Sequence, residues 1–242
     1  MGLELINITK SYRNETGVKE VLSDINLSIK NGEFLAVLGQ SGCGKTTLIN
    51  IIAGFTEKNS GKIILNGMEI TGIDKNRIMV FQEDSLFPWL NLIENVEFSL
   101  RIAGSSKKEM KETAQKYIEL VNLKGAEKLY VHQLSGGMKQ RAVIARALAA
   151  DSEIVLMDEP FSALDHATKN KLRNELMKIW NKTKKTIIFV THDVEEALLL
   201  ADRIVIISQT SGKIVREISI EQERERRKDS SELKKLILEI RE

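Results

Sequence analysis

Gly39-Gln40-Ser41-Gly42-Cys43-Gly44-Lys45-Thr46 matches the pattern G-x-x-x-x-G-K-[ST] at every fixed position. The run before it, Phe34 to Leu38 (FLAVL), is continuous, apolar and of strand length. Such a run suits a strand buried on both faces of a parallel sheet. The run after it, Thr46 to Ala53, reads as a helix. Strand, glycine-rich turn and helix together make a phosphate cradle. The glycines let the backbone curl so that successive N–H groups point at anionic oxygens, and the helix adds its positive N-terminal end. Lys45 places a point charge on the β- and γ-phosphates, and the Thr46 hydroxyl can ligate Mg²⁺. Cys43 fills a variable position of the loop. It is either a small residue that fits there or a thiol made redox-sensitive by the helix end.

Outward from the loop, Ile154 to Met157 is a second apolar strand, and it ends in Asp158-Glu159. Ligands of parallel sheets bind at the carboxyl ends of the strands. This places Asp158 beside the loop to hold Mg²⁺, usually through water, and Glu159 where it can orient and deprotonate an attacking water. Pro160 stops the strand directly afterwards. Taken alone, an acidic pair can also serve a helix N-terminus.

The rest of the chain organises around these two stations. Leu3 to Ile8 and Leu22 to Ile29 alternate as strands do, and Lys62 to Leu65 and Ile78 to Phe81 are further short strands. From Leu92 to Ala150 the period becomes helical: Leu92, Val96 and Leu100; then Met110, Ala114, Tyr117, Ile118 and Val121; then Gly136 to Ala149. Strands return at Thr186 to Val190 and Arg203 to Ile207, with helices at Leu172 to Trp180 and Val194 to Ala201. Strands alternating with helices imply an α/β parallel sheet, and the helical block reads as an insertion. Asp229 followed by Glu232, with a stripe of Leu233, Leu236, Ile237 and Ile240, predicts a terminal helix. Residues 221–242 carry seven acidic and seven basic side chains, so that helix would be neutral.

Composition narrows the classes. At ~150 residues per domain, 242 residues suit one core with a subdomain. A net charge of +2 gives no footprint for nucleic acid, so none is expected as a partner. One cysteine excludes an internal disulfide and a cysteine metal cage. No apolar run approaches the ~20 residues of a membrane-spanning helix, and the N-terminus has no signal-peptide pattern.

Leu134-Ser135-Gly136-Gly137-Met138-Lys139-Gln140-Arg141 opens another helix on two glycines. The stretch resembles the LSGGQ signature of ABC ATPases, and the order of loop, helical insert, signature and acidic strand fits that family over essentially the whole chain. The resemblance implies an α/β fold: a P-loop NTPase (RecA-like) core with an N-terminal antiparallel β subdomain and an inserted α-helical subdomain. The core would span 1–85 and 154–242, and the helical signature subdomain 86–153. It also implies ATP hydrolysis with Mg²⁺. Gly39, Gln40, Ser41, Gly42, Cys43, Gly44, Lys45, Thr46 and Thr47 would form the nucleotide contact, with Lys45 also in the catalytic set. Tyr12 resembles the aromatic that stacks on adenine. Gln82 resembles the Q-loop glutamine, which touches Mg²⁺ or water. Ser162-Ala163-Leu164-Asp165 resembles the D-loop that crosses the dimer interface, and His192 resembles the switch histidine that contacts the γ-phosphate. Thr46, Gln82 and Asp158 would serve the metal, and Glu159 the water. His132 and His166 match no catalytic position. In this family two copies form a head-to-tail homodimer in which Ser135, Gly136 and Gly137 of one cap the ATP of the other.

A narrower resemblance is to the importers of nitrate, sulfonate, taurine and bicarbonate. It rests on Gln82-Glu83-Asp84-Ser85-Leu86-Phe87-Pro88-Trp89-Leu90-Asn91, Glu94-Asn95-Val96, Met138, Thr191-His192-Asp193-Val194-Glu195-Glu196-Ala197 and the arginine-rich Glu223 to Arg227. It implies a peripheral subunit on the cytoplasmic face of the cell membrane. Phe87-Pro88-Trp89 would dock integral-membrane permease subunits as exposed apolar material, or else pack into the helical block. An extracytoplasmic solute-binding protein would take part indirectly. The competing readings are a soluble ABC ATPase not coupled to transport, an importer ATPase for an unrelated small solute, another P-loop kinase or GTPase, and a non-hydrolysing nucleotide-binding module.

Overall fold

The computed structural model describes residues 2–14, 17–82 and 85–220. Contacts divide the chain into two compact units, Met1–Asp74 with Lys185–Glu242, and Lys75–Lys184. The helical insert expected over 86–153 lies wholly within the second. The expected terminal helix and the Glu223–Arg227 run lie outside the described residues.

In the first unit, β1 (Gly2–Asn14), β2 (Gly17–Lys30), β4 (Ser60–Leu65) and β5 (Met68–Glu69) form an antiparallel sheet in the order β2-β1-β4-β5. Leu22, Ile25, Leu27 and Ile29 of β2 are all buried, yet the first two are three residues apart. A β-bulge absorbs the extra residue: register shifts occur near Ile8, and Asn7 and Asp24 hold φ of 52° and 49°. The Asn7 amide donates to the Asp24 carboxylate at 2.5 Å, a local bond that suits Asn and Asp to this conformation.

The unit's parallel strands are β3 (Phe34–Leu38), β8 (Thr186–Thr191) and β9 (Arg203–Ile207), with β3 paired to both others. Every residue of β3 and β8 is buried, which is why both read as continuous apolar runs instead of alternating ones. Phe34 and Phe189 meet with ring centroids 5.9 Å apart. Each fully buried Leu, Ile or Phe contributes roughly 1.5–3 kcal/mol of transfer free energy. Helix α1 (Lys45–Ala53) packs on β8, and α6 (Val194–Leu200) packs on β3 and β8. The edge strand β10 (Ile214–Ser219) runs antiparallel to β9.

The second unit holds the parallel pair β6 (Arg77–Val80) and β7 (Ile154–Asp158) and the helices α2 (Leu92–Ile102), α3 (Lys107–Leu120), α4 (Gly136–Ala149) and α5 (His166–Thr183). Helices α2, α3 and α4 pack on one another. Val96 and Leu100, then Ala114, Tyr117 and Ile118, then Ala142, Ile144, Ala145 and Leu148 are buried along them, the apolar faces that the helical spacing predicts. Asn91 with Glu94 and Ser106 with Glu109 form capping boxes at the starts of α2 and α3.

Candidate functional site

The phosphate loop joins β3 to α1. Its shape depends on two close approaches. A Cβ on Gly39 would stand 2.5 Å from the Cys43 sulfur and 2.8 Å from the Ile207 carbonyl oxygen. Gly44 holds φ 104°, a value other residues adopt only under strain. Cys43 is 2% exposed, a packed side chain behind Gly39. Alkylation of this thiol therefore has little surface to act on, whether or not nucleotide protects it. Lys45 is 5% exposed, and its ammonium donates to the carbonyls of Gly39 and Gln40 at 2.8 and 3.1 Å. The charge thus sits inside the curl of the loop. Ser41, Gly42 and Thr46 are exposed on the loop, and Thr47 is half-buried.

The start of α1 differs from every other α-helix start among the described residues. Asn91, Ser106, Ser135, Asp165 and Asp193 each accept backbone N–H groups as N-caps. Gly44 gives α1 no side-chain cap, and its first turn carries no acidic residue. An uncapped helix start in a glycine loop with a lysine is the donor set that a triphosphate requires. The residues present therefore fit ATP. They also fit Mg²⁺ of the kind that keeps waters and phosphate oxygens as ligands, with the exposed Thr46 on the loop able to offer a hydroxyl oxygen. Among the described residues no three His, Cys, Asp or Glu side chains gather as a metal cage.

In the same unit, a cavity of about 810 Å³ brings together Gly39, Gln40, His192, Asp193 and Gln209. His192 follows the last residue of β8 and is exposed. Gln209 donates to the Ser41 carbonyl at 3.1 Å, a contact with no signal in the sequence. Tyr12 lies on β1, 43% exposed, with the Lys10 ammonium 4.9 Å from its ring centroid. An exposed aromatic with a cation beside it can stack a base and sit near negative charge.

In the second unit, Asp158 ends β7 and is 6% exposed. Glu159 follows with φ 43° in the left-handed region. Such strain in a non-glycine residue collects at functional sites, and nothing in the sequence announces it. A cavity of about 530 Å³ is lined by Gln82, Gly136, Gln140 and Pro160 with Ser162, Ala163 and Leu164. It brings the expected Q-loop, signature and D-loop residues together. Ser135 caps α4 by accepting the Met138 N–H at 3.3 Å, and both Ser135 and Gly136 are exposed. Asp165 caps α5, and hydrogen bonds from the Thr168 side chain and backbone hold its carboxyl below the usual range. His132 and His166 are exposed.

The segment Phe87-Pro88-Trp89 divides, contrary to a uniformly exposed reading. Trp89 is 70% exposed and Pro88 is exposed, but Phe87 is half-buried against Phe98, with ring centroids 4.3 Å apart. The buried Asn95 holds this turn. It accepts the Phe87 N–H at 2.8 Å and donates to the carbonyls of Phe87, Leu90 and Asn91. The Arg146 guanidinium donates to Ser85 at its carbonyl and hydroxyl oxygens, at 2.8 and 2.6 Å, and lies over the Phe87 ring. Burial lowers the pKa of Arg146. The sequence marks Asn95 only as part of the importer-like motif and gives no signal for Arg146, because polar side chains on helices read as solvated.

The uncapped loop helix and the buried lysine define a nucleotide-binding loop. The chain matches the family "ABC transporter" over residues 22–162. It is 48% identical over 241 residues to an uncharacterized ABC transporter ATP-binding protein of Methanocaldococcus jannaschii, covering 98% of this chain and 90% of that one. It is 45% identical over 217 residues to the taurine import ATP-binding protein TauB of Roseobacter denitrificans, covering 89% and 81%. Among solved structures it is similar to the dimeric bacterial ABC transporter cassette MJ0796, with a TM-score of 0.80, 32% identity, and coverage of 91% of this chain and 100% of that one. A post-hydrolysis state of MJ0796 bound to ADP and Pi gives a TM-score of 0.78 at the same identity and coverage. The chain belongs to the ABC transporter family. It is an ATPase with the P-loop NTPase fold, and it works on ATP with Mg²⁺.

Proposed function

We propose that this chain is the ATP-hydrolysing subunit of an importer for a small anionic solute, of the taurine and sulfonate kind, moved through a separate permease. The likeness to TauB over 89% of the chain carries this reading. No helix among the described residues is long and apolar enough to cross a membrane, which agrees with a peripheral subunit at the cytoplasmic face. The exposed Trp89, presented on the Asn95 and Arg146 scaffold, is the contact offered to the permease. Two copies pair head to tail, as the dimeric MJ0796 cassette supports, with Ser135, Gly136 and Gly137 of one over the phosphate loop of the other.

The roles divide accordingly. Gly39 to Thr47 hold the phosphates, Lys45 supplies charge and Tyr12 stacks the base. Glu159 orients and deprotonates the attacking water. Gln82 and His192 contact the water and the γ-phosphate, and Asp165 belongs to the segment at the interface. Thr46, Gln82 and Asp158 serve Mg²⁺, which when bound neutralises charge developing on the phosphate oxygens.

The test is reconstitution of the chain with its co-purified membrane partner and solute-binding protein in vesicles. Taurine or another small sulfonate should stimulate ATP turnover, and an uncharged solute should not. Trp89→Ala should lower recovery of the membrane partner and leave ATP binding intact. Stimulation by an unrelated solute alone would overturn the cargo assignment, and full recovery of the partner with Trp89→Ala would overturn the docking assignment.

A further inference from the structure

His192 sits in a turn that is closed by a ring of three hydrogen bonds. The Thr191 hydroxyl donates to the Glu196 carboxylate at 2.8 Å. The Glu196 backbone N–H donates to the Asp193 carboxylate at 3.3 Å, which also accepts the Glu195 N–H at 2.8 Å. The Asp193 N–H donates back to the Thr191 hydroxyl oxygen at 3.0 Å. Each of the three residues thus gives to the next, and the ring brackets His192 on both sides. Thr191 is 2% exposed and Glu196 3% exposed, whereas His192 is exposed and lines the cavity with Gly39 and Gln40.

A buried glutamate is a costly choice for a helix of this size. Taking a carboxylate out of water is unfavourable, and an apolar residue of similar volume commonly serves stability as well or better. What the carboxylate supplies is direction. It fixes the Thr191 hydroxyl proton, so the hydroxyl's lone pairs face the Asp193 amide. That in turn sets the backbone through residues 192–193, and a displacement of ~1 Å in a reacting group can cost about a hundredfold in rate.

We infer that Thr191 and Glu196 are positioning residues for His192, acting on turnover through the ring and not by touching the nucleotide. The inference rests on the reading of His192 as the residue that contacts the γ-phosphate. Steady-state ATP turnover of the full chain tests it, with KM and thermal stability measured beside kcat. Thr191→Val keeps the shape and removes the hydroxyl. It should lower kcat about tenfold, with KM for ATP within about twofold of the parent. Glu196→Ala should do the same, while Thr191→Ser and Glu196→Gln, which keep a donor and an acceptor, should restore most of the rate. In a His192→Ala background, Thr191→Val should cause no further loss in single-turnover assays. If His192→Ala itself turns over normally, the reading of His192 and this inference fall together. If His192→Ala is impaired but Thr191→Val keeps its kcat, or loses only stability, or adds a further loss to His192→Ala, the ring is merely structural. Thr191→Val decides the question even if Glu196→Ala does not fold.

Discussion

Helices α1 and α4 both begin at glycines, but their first turns are finished differently. The N-cap of α4 is Ser135 in an extended conformation, φ −66° and ψ 161°, and its hydroxyl accepts the Met138 N–H. The N-cap of α1 is Gly44 at φ 104°, in the left-handed region, with no side chain to cap anything. The first has an amide of its opening turn capped by its own side chain. The second has the start of a helix pointed at a loop of further amides and one lysine, which is a site designed around a ligand. A sequence pattern of "glycines opening a helix" therefore covers two chemistries, and the residue at the N-cap separates them.

Three substitutions test how far that contrast reaches. Glu159→Gln removes the proposed base from the second unit and leaves the α1 start untouched, so turnover should fall by about 10²–10⁴-fold with nucleotide binding retained. Unchanged steady-state hydrolysis would remove Glu159 from the mechanism. Lys45→Ala takes the charge out of the loop and should weaken ATP binding by about ten- to a hundredfold, the range expected for a hydrogen bond to a charged group, read by calorimetry. Normal affinity would mean the uncapped helix start suffices without it. Ser135→Ala should have the smallest effect: about 1 kcal/mol lost from the α4 cap, seen as a drop of a few degrees in Tm, with nucleotide affinity of the single chain unchanged. If Ser135→Ala weakens that affinity as much as Lys45→Ala, the two helix starts are not distinct in kind.

Much of the fold was legible because burial was uniform. The expected strand Phe34–Leu38, helix Gly136–Ala149 and strand Arg203–Ile207 coincide with β3, α4 and β9. Elements whose ends face solvent were read short. Strand β1 continues to Asn14 through Thr9, Lys10 and Ser11, which pair across the sheet with Ser60, Leu22 and Glu20 and are only half-buried. Helix α5 begins at His166, six residues before Leu172, because its opening turns are mostly polar and hold no buried residue; the Asp165 cap was the available signal. Strand β10 went unread because Val215, Arg216 and Glu217 are all exposed on an edge, so no alternation marks it. At the site, the motifs named the loop, the strand-end carboxylates and the signature. They could not show that Glu159 adopts a left-handed backbone, that Glu196 is buried, or that Phe87 is half-buried while Trp89, its ring 5.4 Å away, is exposed. Those facts depend on packing between residues that no spacing rule connects.

The seating of Cys43 has a consequence for measuring motion. It is the chain's one cysteine, and it is covered by the turn of the phosphate loop at Gly39. A thiol reagent can reach it only when that turn opens. Its modification rate then works as a stopwatch for the breathing of the loop, built into the natural sequence with no label to engineer. Run against temperature, denaturant or added nucleotide, that clock would give the local opening free energy of the cradle separately from the global unfolding of the protein.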